Sequence, residues 1–250
     1  MKNLRAVVEE EIEINTANGT VDSVLFSDGT TRHPGVIHLT DIGGIRPAQR
    51  QMAQQLAGQG YTVLMPNVFY RTSRTPVFDF PMQPGDERTT RRFAELGAPL
   101  TPEAMDSDLA EYVDFLIANK HVTGGPMGVV GYCFSGKMAL RAAAVRPGEI
   151  TAAASFHGGG LFTDGPSSPH LVLPKIKARL YFGHAIKDRS MPEEAIQKLN
   201  QALESWGGKY ESEIYPGALH GWTVPDHVYN PQQAERAFAK LTELFAGTLQ

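Results

Sequence analysis

The chain has 250 residues, of which 42% are hydrophobic and 20% charged, and a formal net charge of −4. That length supports an ordinary apolar core without staples, and the charge balance excludes a general affinity for nucleic acid. One cysteine excludes an internal disulfide and a cysteine-cluster metal site and fits a reducing cytoplasm, while no run approaches the roughly 18 apolar residues of a membrane span.

Residues 1–14 carry four glutamates and no apolar segment, so no secretory signal is expected. Residues 7–14 and 21–26 read as two strands turned by Asn18-Gly19. Gly35-Val36-Ile37-His38-Leu39 is apolar enough for a central strand, and it runs into the small-residue loop Thr40-Asp41-Ile42-Gly43-Gly44. Pro47 opens a helix to about Gly58. Residues 61–65 form the next buried strand, stopped by Pro66. From 67 to 99 the periodicity fails amid prolines, arginines and aromatics, and a connection this long is usually functional or mobile.

Thr101-Pro102-Glu103 starts a helix, with Thr101 as cap, that keeps apolar spacing to about Asn119. Strands are expected at 127–132, 150–156, 178–183 and 210–215. Helices are expected after Gly136, from Pro192 and from Pro231. This alternation predicts one α/β domain over 1–250: a mainly parallel sheet with helices on both faces and an antiparallel N-terminal edge. Ligands of such sheets bind beyond the carboxyl ends of the strands. The residues that follow strands are Asp41, Cys133, His157, Asp188 and His220.

Cys133 stands between a β-branched run ending at Gly131 and a helical pattern beginning after Gly136. Strand, tight turn and helix with a nucleophile at the apex is the layout of a nucleophile elbow. The new helix points N–H groups at that side chain and favours negative charge there, and thiolate is the reactive form of a cysteine. A buried, inert cysteine is the competing reading of the same pattern. The context weighs against it. Asp188 follows one later strand and His220 follows the last, in the chain order nucleophile, acid, histidine of the α/β-hydrolase arrangement. His157 and His184 are rival bases, and Ser135 is a rival nucleophile two residues past the apex.

These residues carry a resemblance to the dienelactone hydrolase (carboxymethylenebutenolidase) family of α/β-hydrolases. It rests on Gly131-Tyr132-Cys133-Phe134-Ser135-Gly136, on Asp188 after Tyr181-Phe182-Gly183, and on Ala218-Leu219-His220-Gly221. The family's elbow has glycine where Ser135 stands, and its early loop has glutamate where Asp41 stands. The resemblance implies hydrolysis of a lactone or ester by the thiol of Cys133, with His220 as base, Asp188 as its orienter, and a thioester acyl-enzyme. It implies an oxyanion hole from the backbone N–H groups of Phe134 and Ile42, and a thiol-modulating role for Asp41.

Family members that cleave dienelactone bind its carboxylate with arginine, which points to Arg91 and Arg92 in the 67–99 segment; Phe93 and Trp222 would help wall the pocket. No cofactor and no metal are implied. The expected partner is a small ester or lactone, with no nucleic acid and no membrane, in a monomer or homodimer. The alternative from another class is a redox or electrophile sensor that uses the lone thiol and needs neither Asp188 nor His220.

Overall fold

The computed structural model describes residues 6–83, 85–226 and 228–249. Residues 1–5 of the stretch read for a signal, and Pro84 of the proline-rich segment, lie outside them. Strands are β1 (Val8–Thr16), β2 (Gly19–Ser27), β3 (Gly35–Leu39), β4 (Thr62–Pro66), β5 (Met127–Tyr132), β6 (Ile150–Phe156), β7 (Arg179–His184) and β8 (Tyr210–Ile214). Helices are α1 (Pro47–Ala57), α2 (Glu87–Gly97), α3 (Pro102–Ala118), α4 (Gly136–Val145), α5 (Glu193–Trp206) and α6 (Pro231–Ala246).

All eight strands join one sheet in the order β1-β2-β4-β3-β5-β6-β7-β8. From β3 and β4 through β8 the neighbours are parallel, while β1–β2 and β2–β4 are antiparallel. The expected architecture, with its antiparallel N-terminal edge, is therefore the observed one. Period-two alternation sends neighbouring side chains to opposite faces. Val129 of β5 packs with α3, α4 and α5 residues such as Leu109, Ala139 and Leu199. Val130 packs with α1 and α6 residues such as Leu56, Leu241 and Phe245.

The chain runs outward from β3 to β4, then returns to place β5 on β3's other side, in the register Leu39↔Gly131. That reversal opens a crevice between the ends of β3 and β5, where sheets of this kind bind ligands. The loop Thr40–Gly44 and the turn at Cys133 are thus brought side by side.

One expectation is corrected. The 67–99 segment contains the helix α2, with Asp86 capping it by accepting from the Thr89 N–H at 2.9 Å. Only Thr89 and Leu96 of this helix are buried, so it shows almost no apolar stripe in the sequence. The remainder of the segment is a strap over the β3 loop: Val77 packs where a side chain on Gly44 would stand.

Candidate active site

The elbow is shaped by close approach. Cys133 has φ +53°, a left-handed conformation that costs a non-glycine residue energy, as expected of a strained strand-to-helix apex. A Cβ on Gly131 would lie 2.2 Å from the Ser135 carbonyl oxygen, and one on Gly136 would lie 2.7 Å from the Gly158 Cα. Both positions therefore exclude a side chain. Ser135 is fully buried. Its hydroxyl donates to the Leu39 carbonyl at 2.8 Å and accepts from the Tyr132 N–H at 3.1 Å. A hydroxyl fixed between β3 and the elbow turn has no base beside it, which removes Ser135 as a rival nucleophile and gives this departure from the family pattern a structural use.

Three strand ends then converge. His220 Nε2 lies 3.0 Å from Cys133 Sγ, and His220 Nδ1 lies 2.6 Å from Asp188 Oδ2. Ser190 supports the acid: its hydroxyl and its N–H donate to the other Asp188 oxygen at 2.7 and 2.8 Å. The spacing Asp188-x-Ser190 is a local Asx-type turn, a signal present in the sequence but not used. Burial works against charge on His220, but the hydrogen bonds to Asp188 and Cys133 and the negative charge at both outweigh it, raising the imidazole to about 10. Burial raises the Asp188 carboxyl, and the His220 and Ser190 contacts more than reverse that, leaving it below its ordinary value.

The rival histidines sit elsewhere. His157 is buried with Nε2 on the Thr223 hydroxyl at 2.7 Å, and burial drives its pKa well below the ordinary value. Its ring lies edge-on to His220 at 5.2 Å, so it backs the histidine rather than the thiol. His184 stacks on Phe182 and faces Ser212.

The β3 loop supplies the facing wall. Asp41 Oδ1 accepts from the Gly43 N–H at 2.9 Å, which shapes the backbone around Ile42. Among the described residues no acceptor is recorded for the Ile42 N–H. The Phe134 N–H lies in the first turn after the apex, where a helix offers no partner.

Asp41 itself is not brought onto the thiol. Both its oxygens receive Arg46, at 2.5 and 2.7 Å, and Gln49 donates to Oδ2 at 3.1 Å. Arg46 also reaches Asp226 at 2.9 Å, in the loop that follows His220. A carboxylate so occupied anchors two loops to one another. The link from Arg46 to Asp226 carried no signal in the sequence because the two lie 180 residues apart.

The residues expected to bind substrate are dispersed. Arg91 is exposed and pairs with Glu87 one turn back at 3.0 Å. Arg92 donates to the Val77 carbonyl at 2.9 Å and to Glu95 at 3.0 Å. With Phe80 and Arg88 they line a pocket of about 430 Å³ in the strap that contains neither Cys133 nor His220. Phe93 packs edge-on to Phe78 within the same segment. Trp222 is fully buried, between Tyr215 and His157, because it fills the core behind His220 instead of the crevice. Among the described residues no cluster of three or more His, Cys, Asp or Glu side chains could hold a metal ion, and no helix is long and apolar enough to cross a membrane.

A parallel sheet with an elbow at the switch point, and an acid and a histidine from later strand ends, defines an α/β-hydrolase architecture. The dienelactone hydrolase family model matches residues 21–249, and the chain belongs to that family, whose enzymes hydrolyse lactones and esters. A carboxymethylenebutenolidase of Rhodococcus opacus is 30% identical over 223 residues, covering 86% of this chain and 83% of that one. The hydrolase tropI of Talaromyces stipitatus is 29% identical over 218 residues, covering 82% of this chain and 80% of the relative. Among solved structures, the dienelactone hydrolase of Anabaena variabilis superposes with a TM-score of 0.69 at 19% identity, covering 98% of this chain and 99% of that one.

Proposed function

We propose that the protein is a cysteine hydrolase that cleaves a carboxylic ester or lactone through Cys133, Asp188 and His220. The observation that carries this reading is the unbroken line of contacts from Asp188 through the imidazole to the sulfur, 2.6 and 3.0 Å. A nucleophile, a base within reach of it and an acceptor that orients the base are the parts nucleophilic catalysis needs.

In this reading the sulfur adds to the acyl carbon as a thiolate while His220 holds the proton. The carbonyl oxygen becomes an oxyanion held by the N–H groups of Ile42 and Phe134. On collapse the C–O bond breaks, and His220 gives its proton to the departing oxygen, leaving a thioester. Water then loses a proton to His220 and adds to the thioester carbon. Collapse expels the sulfur, which leaves the acid product and restores the thiolate–imidazolium pair. Asp188, held ionised, fixes the Nδ1–H tautomer throughout.

The test is a panel of 4-nitrophenyl esters and small lactones with wild type and Cys133→Ala, and mass spectrometry of the wild-type protein quenched during turnover. Loss of hydrolysis in the variant and an acyl adduct on the Cys133 peptide are expected. Full esterase activity in Cys133→Ala would sink the reading.

A further inference from the structure

Arg91 and Arg92, suggested by the sequence as carboxylate receptors, and the other strap arginines all have carboxylate partners. Arg71 is paired to Asp108, Arg74 to Glu13, Arg88 to Asp79, Arg91 to Glu87 and Arg92 to Glu95. Lys137 differs from them. It stands in the first turn of α4, the helix that the elbow at Cys133 leads into. It is half-buried, and among the described residues no carboxylate lies within ion-pair distance of it. Its ammonium lies over the Phe134 ring at 4.2 Å, which places it beside the residue whose backbone faces the thiol. The nearest helical cation, Arg141, is neutralised by Asp106 at 2.7 and 2.8 Å.

An uncompensated cation out of bulk water is costly unless something anionic answers it, and a ring face answers it only in part. We propose that Lys137 is the specificity-determining charge of the site: it directs esters whose acyl part carries an anionic group onto Cys133, in place of the strap arginines. The proposal rests on the hydrolase reading above. The electrostatics agree with the geometry. Burial lowers the Lys137 pKa, while the negative charge at Cys133 supports the ammonium, so the two groups feel one another. Two other cations near His220, Lys187 and Arg189, are exposed, where water screens a charge far more strongly.

Because the protein has one cysteine, alkylation reports on this site alone. Rates of Cys133 alkylation by anionic iodoacetate and neutral iodoacetamide are measured for wild type, Lys137→Met, Lys137→Gln, Lys137→Arg and Arg189→Gln. The neutral reagent serves as the denominator, so a general change in thiol reactivity cancels. The iodoacetate-to-iodoacetamide ratio is expected to fall about ten-fold in Lys137→Met and Lys137→Gln, as loss of one nearby, partly desolvated positive charge implies. It is expected to be restored in Lys137→Arg and to stay near wild type in Arg189→Gln. The same ordering is expected in kcat/KM for a 4-nitrophenyl ester of a dicarboxylic acid over 4-nitrophenyl acetate. A ratio unmoved in both neutral Lys137 variants, or one that falls in Arg189→Gln instead, overturns the proposal. Failure of the hydrolase reading shows separately, as 4-nitrophenyl acetate turnover that survives Cys133→Ala.

Discussion

Two charged regions border the crevice, and they are built in opposite ways. At the strand ends, Asp188, His220, Asp41 and Arg46 join segments far apart in the chain, and each carboxylate accepts several hydrogen bonds. In the strap, Arg91 and Arg92 of α2 pair three or four residues along their own helix with exposed carboxylates, and exposed Arg88 pairs with exposed Asp79 in the same segment. The first region is immobilised by the fold. The second is a solvated helix face whose ion pairs are worth little. Charge near a site is therefore poor evidence for a role in it; what binds the charged group, and from how far along the chain, is better evidence.

The comparison breaks if the strand-end groups prove dispensable. Asp188→Asn should lower kcat/KM by about a thousand- to ten-thousand-fold through the wrong imidazole tautomer, and His220→Ala by at least as much. Steady-state ester hydrolysis measures this, and losses under ten-fold would place the chemistry elsewhere.

Arg46→Ala comes next. It leaves Asp41 uncompensated, with only 11% of that side chain exposed, and should destabilise the protein by about 3 kcal/mol in denaturant unfolding. Arg46→Lys keeps the charge but not the fork and should cost about half as much.

Ser135→Ala leaves the Leu39 carbonyl and the Tyr132 N–H short of a partner and should cost about 1–3 kcal/mol, again by unfolding. A stability equal to wild type would mean that the hydroxyl is not the link between β3 and the elbow.

Stability against pH sharpens the same point. His220 is raised from 6.5 to about 10, so its contribution is complete below 6.5 and lost as pH rises through about 10. Asp188 is lowered, so its contribution is present above its unfolded value of 3.8 and lost as pH falls through the folded one. The melting-temperature gap between wild type and His220→Gln should be widest between pH 3.8 and 6.5 and should close toward pH 10.

Arg91→Ala should do least, changing stability by under about 0.5 kcal/mol and ester turnover by less than two-fold. A large loss of turnover would move this arginine from the solvated face into the site.

Much of this was legible in the sequence because the signals are local. A buried strand ending at Gly131, a small-residue turn and a helix start are neighbours in the chain, and so are each strand end and its Asp188 or His220. The mainly parallel character of the sheet followed from alternation, since a parallel strand needs a crossover. The helix α2 was missed because a helix lying on the surface shows little apolar periodicity; Asp86 three residues before Thr89 was its available signal.

What the sequence determined by itself, then, is the elbow, the strand ends and the order of Cys133, Asp188 and His220 along them, since each depends on residues adjacent in the chain. Only the tertiary structure decided that Asp41 answers Arg46 instead of the thiol, that Trp222 fills core, that the strap arginines are paired, and that the Lys137 ammonium lies over the Phe134 ring. Each of those outcomes is a choice among partners, and partners of opposite charge are chosen by proximity in space, which carries no mark in the spacing of residues.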